Sequence, residues 1–163
     1  MSASSSRTGY LYHEIYGWHD TGSGPMFPSN GFGGVQPMLH AESAETKRRI
    51  HELIVVSGLI NHLHRIEPSP ATEADILRCH TAEHLAAIKA GSALPKGGDA
   101  GDGVSPLGHG GYEIALLAAG GMMSMVDAVL SGEVRNGYAL VRPPGHHAVP
   151  TRDPEVVEQA ASH

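Results

Sequence analysis

The fold of this 163-residue chain is decided by residues 112–148, which read YEIALLAAGGMMSMVDAVLSGEVRNGYALVRPPGHHA. Residues 112–130 predict one long helix, because apolar side chains recur there at helical spacing: Ile114, Leu117, Met122, Met125, Val126 and Val129. An Asn-Gly pair favours a turn at residues 136–137, and the apolar run YALV at residues 138–141 predicts a strand bounded by prolines. A long helix that leads into a short apolar strand is typical of a parallel sheet.

The upstream sequence alternates between strand and helix signals in the same way. The predicted elements before the long helix are a strand at residues 9–13, a helix at about 44–58, a short strand at 64–66, a short helix begun by a capping box of Thr72 and Asp75, and a helix at 81–90 that ends at Gly91. This alternation predicts an α/β fold with an open parallel sheet.

Functional side chains in open α/β sheets collect beyond the carboxyl ends of the strands. The strand at residues 138–141 is followed by two prolines and a glycine, residues 143–145, a rigid turn that would hold His146 and His147 in place. Imidazole titrates near neutral pH, so one ring could act as general base beside a metal-bound water and the other as its acid or electrostatic partner. The alternative is a chance surface pair in a chain with 12 histidines.

This segment resembles the active-site motif of histone deacetylases. The sequence VRPPGHHA at residues 141–148 is similar to the motif of class II enzymes and of bacterial histone deacetylase-like amidohydrolases. The likeness extends upstream through ILRCHTAEHL (76–85), ETKRRIHEL (45–53) and LYHEIYGWHDTG (11–22), so it covers residues 9–148. The resemblance implies the amino-terminal part of an arginase-like or deacetylase-like fold, an open parallel sheet with helices on both faces that is incomplete in this chain.

The same resemblance implies a zinc-dependent amidohydrolase that removes acetyl groups from ε-acetyl-lysine or from acetylated polyamines. In the complete family domain, zinc polarises the amide carbonyl and activates water. By the motif match, His147 is the general base and His146 helps to balance charge. Asp102 would hold the substrate backbone, with Asp99 as the alternative because the alignment slips there, and Trp18 would border the substrate channel.

The chain departs from the family pattern after Ala148. The family continues with a Gly-Phe-containing segment, an Asp-x-His pair and a further Asp that bind zinc, and a later transition-state tyrosine. This chain has no Asp-x-His, and its last residues, VPTRDPEVVEQAASH at 149–163, do not align with the family. Because a catalytic zinc normally takes three protein ligands, we expect this chain alone to bind no zinc and to be inactive.

The predicted organisation therefore has three parts. Residues 1–8 form a disordered lead-in, residues 9–148 form the amino-terminal portion of a deacetylase-like domain, and residues 149–163 form a dissimilar tail. This organisation is expected of a truncated product or of an incomplete reading frame.

Charge and composition argue against several partners. The 11 Lys and Arg against 17 Asp and Glu give a formal charge of −6, without the basic block that nucleic-acid binding needs. We expect no membrane span, because Gly120, Gly121 and Asp127 interrupt the longest apolar run. The single cysteine, Cys79, can form no internal disulfide, so we expect it in the core of a protein of the reducing cytoplasm.

Two other functions stay open. One is a non-enzymatic interaction or regulatory module that forms a homo-oligomer or pairs with a full-length homologue, because a sheet without its later strands leaves an exposed edge. The other is a metallopeptidase, because HTAEH at residues 80–84 matches the H-x-x-E-H pattern. Against the peptidase, Thr81 resembles a helix N-cap, which would leave His80 outside the helix.

Overall fold

The computed structural model describes residues 7–24 and 36–146, and contacts divide the chain into two units. The first unit contains the residues up to Trp18, Ala44–Ala71 and Glu113–Pro144, and the second contains His19–Ser43, Thr72–Tyr112 and the residues from Gly145 onward. In chain order the elements are β1 (Thr8–Leu11), a 3-10 helix (Glu14–Trp18), α1 (Glu45–Val56), a 3-10 helix (Leu59–His62), β2 (His64–Arg65), α2 (Glu73–Ile76), α3 (Ala82–Ala93), β3 (Gly98–Asp99), β4 (Pro106–Leu107), α4 (Gly111–Leu130) and β5 (Asn136–Ala139).

The first unit contains a three-stranded sheet in the order β2-β1-β5, and both strand pairs are parallel. Parallel neighbours need long crossover connections, and the helical segments between these strands supply them. The predicted parallel sheet is confirmed. The first strand begins at Thr8, one residue earlier than expected, because Thr8 pairs with Asn136.

Helices cover both faces of β1. Successive residues of a strand face opposite sides of the sheet, so Gly9 and Tyr10 show which helix lies on each side. On one face α4 approaches so closely that a Cβ on Gly9 would lie 2.9 Å from the Sδ of Met125. On the other face the Tyr10 hydroxyl lies 2.9 Å from Nδ1 of His51 on α1, and the Tyr12 ring stacks on the same imidazole. The predicted arrangement of helices on both faces is therefore confirmed.

The core of the first unit lies between α4 and the sheet. Its buried members are Leu11, Tyr16, Ile66, Ile114, Ala118, Met125, Ala128 and Val134. The predicted long helix is confirmed, and it begins one residue earlier, at Gly111. Two members of its predicted apolar stripe, Met122 and Val126, are exposed instead.

The last described strand corrects the prediction of a turn at residues 136–137. Both Asn136 and Gly137 pair with β1, and the strand ends at Ala139. A Cβ on Gly137 would lie 2.0 Å from the Sδ of Met125, so this glycine allows close helix-to-sheet packing and does not form a turn.

The second unit contains two capped helices and a hairpin. The Thr72 hydroxyl accepts a hydrogen bond from the Asp75 amide and the Asp75 carboxylate accepts one from the Thr72 amide, so the predicted capping box is confirmed. The hydroxyl of Thr81 accepts a hydrogen bond from the amide of His84, as expected for an N-cap. Strands β3 and β4 form an antiparallel pair that the sequence did not predict.

Two expectations for the second unit are wrong. Helix α3 does not end at Gly91 but continues to Ala93. Gly91 instead allows α3 to pack closely on β3, because a Cβ on Gly98 would lie 3.1 Å from the Gly91 Cα. Cys79 is exposed and not part of the core, because it lies in the short connection between α2 and α3.

Helix α4 also corrects the expectation that no segment reaches membrane-spanning length. Among the described residues, Gly111–Leu130 is the one helix that is long and apolar enough to cross a bilayer, by length and composition only. The core helix of a protein without a membrane span meets the same criteria, and Ile114, Met125 and Ala128 of α4 are buried against the sheet. We therefore interpret α4 as a core helix.

Candidate functional site

The candidate site in the first unit lies where the parallel strands β1 and β5 end side by side. The amide of Leu140 donates a hydrogen bond to the carbonyl of Leu11, with 2.8 Å between nitrogen and oxygen, so the two chains leave the sheet together. After Leu11 the chain turns into the 3-10 helix Glu14–Trp18, and after Leu140 it reaches Arg142 and the prolines.

Arg142 is the largest fully buried side chain of the described residues, with 1% of its surface exposed. Its Nη1 donates a hydrogen bond to the carbonyl oxygen of Tyr16 at 3.2 Å. The hydroxyl of Tyr16, itself fully buried, donates in turn to the carbonyl of Leu117 on α4 at 3.2 Å. These bonds connect the end of β5 to the segment after β1 and to the covering helix.

Burial sets the ionisation of the tyrosines around this site. Loss of solvation disfavours a charged phenolate, so burial raises the pKa of Tyr16 to about 12. Burial, with a smaller effect of neighbouring tyrosines, also raises the pKa of Tyr10 to about 12. Both phenols therefore stay protonated and keep their hydrogen bonds at neutral pH.

These shifts predict an alkaline loss of stability. An unfolded chain releases the phenolic protons near pH 10, whereas the folded chain keeps them to about pH 12, so the free energy of unfolding should fall as pH rises between these values. Urea unfolding followed by circular dichroism from pH 9 to 12 measures this fall. Tyr16→Phe should make the fall shallower, and an unchanged slope in this variant would contradict the assignment.

The turn that follows β5 has the geometry that its sequence indicates. The peptide bond between Arg142 and Pro143 is cis, and Gly145 has a φ of +74°, a conformation that favours glycine. His146 is exposed, and it belongs to the second unit. His147 lies outside the described residues, so its predicted role as general base stays a prediction from the motif.

Asp99 ends β3 and Asp102 lies in the loop that joins β3 to β4, both in the second unit. The Oδ1 of Asp99 accepts hydrogen bonds from the amides of Gly101 and Gly103 at 2.6 and 2.9 Å. The Asp102 carboxylate accepts from the Val104 and Ser105 amides and from the Ser105 hydroxyl. Both carboxylates are half-buried and organise their own loop, and the predicted contact of either one with a substrate stays a prediction.

Trp18 ends the first 3-10 helix and is 75% exposed. An indole ring this exposed does not serve as a buried anchor of its loop. The predicted contact with a substrate stays a prediction.

Sequence reasoning passed over Arg142, Tyr16 and His51. A signal for the last two was present, because residues 10–16 contain three tyrosines and a histidine interrupts the apolar stripe of α1. Arg142 gave no comparable signal, because a single arginine beside prolines is common on protein surfaces.

The described residues, 7–24 and 36–146, contain no group of three or more His, Cys, Asp or Glu side chains that could hold a metal ion. In the HTAEH segment, His80 precedes α3, which begins at Ala82 after its cap. The rings of His80 and His84 stack with 5.1 Å between their centroids. The described part of the chain therefore gives the metallopeptidase hypothesis no third ligand.

Comparison with known proteins gives one family. The family model described as "Histone deacetylase domain" matches residues 40–154. The chain is 45% identical over 151 residues to a histone deacetylase-like amidohydrolase of Pseudomonas aeruginosa, with 88% of this chain and 38% of the relative covered. It is 34% identical over 121 residues to the polyamine deacetylase HDAC10 of Danio rerio, with 69% of this chain and 17% of the relative covered.

A solved structure has the same fold. The crystal structure of the HDA15 HD domain matches with a TM-score of 0.75 and 26% identity, and the match covers 96% of this chain and 44% of that chain. The described sheet and helices are thus those of an incomplete arginase-like or deacetylase-like α/β fold, as predicted. The chain spans less than half the length of these similar proteins.

Proposed function

Because this chain belongs to the histone deacetylase family, we propose that it supplies the amino-terminal part of a zinc-dependent amidohydrolase. The observation that carries this proposal is the extent of the family match, which runs through residues 40–154 and so includes His146 and His147. Its support from structure is the end of β5, where a buried Arg142 ties the chain just before this pair.

Family membership suggests a metal-dependent deacetylase, but the residues that the structure describes, 7–24 and 36–146, do not fit a zinc site. The described part contains no three-ligand group, and the sequence contains no Asp-x-His. We therefore propose that zinc is held by residues outside this chain, that the chain alone binds none, and that it is inactive alone. No step of the reaction is derived through the metal.

The chain's own residues would move protons and hold the substrate. His147 would take the proton of the water that attacks the acetamide carbonyl and give it to the leaving amine, so that water and amide become acetate and amine. His146 would help to balance charge. The carboxylate of Asp102, or of Asp99, would accept a hydrogen bond from the substrate backbone, since an ionised carboxylate has about four acceptor positions.

The proposed substrates are ε-acetyl-lysine in proteins and acetylated polyamines. The relatives support both, because one is named a histone deacetylase-like amidohydrolase and another a polyamine deacetylase. We propose the cytoplasm as the location, since Cys79, the single cysteine, does not require an oxidising compartment.

A chimera tests the proposed function. Residues 1–148 of this chain replace the equivalent segment of the Pseudomonas aeruginosa relative, which keeps its own carboxyl-terminal part. Acetate release from an acetyl-lysine peptide and from acetylspermidine is then measured. We expect hydrolysis of at least one substrate, and a folded chimera that hydrolyses neither would reject the proposal.

A second candidate function is an interaction module that pairs with a homologous deacetylase. The observation that favours it is an apolar surface of the first unit, because the outer side of α4 exposes apolar side chains: Met122, Met123, Val126 and Leu130. Separately, β5 is one of the two edges of the described three-stranded sheet, and Tyr138 on it is half-exposed. Open strand edges and apolar patches of this kind are typical contact surfaces.

This surface predicts that the isolated chain associates. In sedimentation velocity from 1 to 100 μM, we expect oligomers or aggregates whose proportion rises with concentration. Val126→Lys together with Leu130→Lys should reduce association, because charge on the apolar face opposes its burial. A monomeric species at every concentration, with a sharp two-state unfolding transition, would contradict the exposed surface.

A further inference from the structure

We infer that Arg142 is a positioning residue that fixes the exit of β5 and the start of the turn that follows it, residues 143–145. The inference rests on the proposed function for the importance of that turn. The anchoring itself depends only on contacts within the first unit, so it is tested separately from any activity.

Arg142 is buried and hydrogen-bonded to Tyr16. The side chain of Arg142 is 1% exposed, and its Nη1 lies 3.2 Å from the carbonyl oxygen of Tyr16. Tyr16 is itself fixed, because its amide donates to the His13 carbonyl and its hydroxyl donates to the Leu117 carbonyl on α4. The guanidinium therefore binds a residue that is itself held by two hydrogen bonds.

Arg142 lies in the chain between the end of β5 and the two prolines of the turn. The last described sheet bond of this region runs from the Leu140 amide to the Leu11 carbonyl. Pro143 and Pro144 have no backbone N–H, so the chain cannot donate backbone hydrogen bonds at these two residues. Arg142 lies between the sheet bond and the prolines, and its side chain supplies donors where the backbone loses them.

Burial of the Arg142 guanidinium costs free energy. A buried cation loses its hydration, and replacing buried ionic groups by well-packed apolar residues is often neutral for stability or improves it. The burial of Arg142 is therefore weak evidence that this side chain serves stability alone. Its planar guanidinium can hold carbonyl groups in a fixed direction, which lysine, a flexible point charge, does less well.

The test uses amide hydrogen exchange in the full 163-residue chain, with the variants Arg142→Met and Arg142→Lys. The probes are two amides that bond on opposite sides of β1: Leu140, which donates to Leu11, and Ile66, which donates to Tyr10. In Arg142→Met we expect protection at Leu140 to fall about tenfold more than protection at Ile66. Arg142→Lys should restore part of the difference.

A second readout follows the turn itself. The heteronuclear ¹⁵N NOE of the Gly145 and His146 amides should fall in Arg142→Met and recover in part in Arg142→Lys. The matched control is Arg135→Met, since Arg135 is exposed just before β5 and should leave both readouts unchanged.

The outcomes separate anchoring from general stability. Equal losses of protection at Leu140 and Ile66 would mean that Arg142 only stabilises the unit, and they would overturn the inference. Unchanged protection and NOE would overturn it as well. If Arg142→Met does not fold, Arg142→Lys tests the inference instead. In this variant we expect protection of the Leu140 amide to fall about threefold more than protection of the Ile66 amide. Because none of these readouts uses catalysis, an inactive chimera would reject the proposed function without affecting them.

Discussion

His147→Ala in the chimera should reduce acetate release by about 10²- to 10⁴-fold, the usual contribution of a positioned general acid or base. The expectation follows from the assignment of His147 as the group that takes the proton of the attacking water. Removal of the proposed base should lower kcat and leave KM nearly unchanged, because the role proposed for the imidazole is to act on the water and not to bind the substrate. Initial rates over a range of acetyl-lysine peptide concentrations measure both constants.

The matched control for this variant is His62→Ala. His62 is exposed in the second 3-10 helix and has no assigned role, so its variant should keep the rate of the parent chimera. His146→Ala should retain more activity than His147→Ala, since the role proposed for His146 is to balance charge and not to take the proton. Full activity of a folded His147→Ala chimera would show that the base is another residue.

Gly120→Ala should lower the free energy of unfolding by about 2 kcal/mol or more. A Cβ at this position of α4 would lie 1.9 Å from the carbonyl oxygen of Ser69 and 2.3 Å from the amide nitrogen of Ala71. Alanine gains about 1 kcal/mol in helix propensity, but overpacking against backbone atoms costs about 3 kcal/mol or more. The cost of the clash exceeds the gain in helix propensity, because both neighbouring atoms belong to the main chain and cannot move aside as a side chain can. The Ala71 amide is also held by its hydrogen bond to the Leu116 carbonyl.

Gly17→Ala is the matched control, since nothing lies within 4 Å of a Cβ built on that exposed glycine. Its free energy of unfolding should stay within about 0.5 kcal/mol of the parent chain. Urea unfolding of both variants at low protein concentration, followed by circular dichroism, gives the comparison. A Gly120→Ala variant as stable as Gly17→Ala would contradict the close packing of α4 on the loop after β2.

The main elements could be predicted from sequence because their signals are local. The capping side chains of Thr72 and Thr81 gave the starts of α2 and α3, and the apolar spacing of residues 112–130 gave α4. The errors came from glycines whose role is decided by distant neighbours. Gly91 and Gly137 allow close packing of helix on strand, whereas the sequence suggested a helix end and a turn.

The candidate site was predictable only where a motif carried it. The sequence RPPGHHA indicated His146 and His147, but the burial of Arg142 depends on Tyr16, 126 residues earlier in the chain. The hydrogen bonds of Asp99 and Asp102 to their own loop were equally hidden, because a glycine-rich sequence does not say which amides a carboxylate will meet. Tertiary contacts thus set what local patterns could not.

We propose that these residues are the front of a larger catalytic domain. The intact mass of the polypeptide that carries them, isolated from its source, tests this claim most directly. The relative from Pseudomonas aeruginosa is matched over only 38% of its length, so we predict a mass well above the 17.1 kDa of the residues described by this sequence. A native mass of 17.1 kDa would contradict the claim and favour the interaction module.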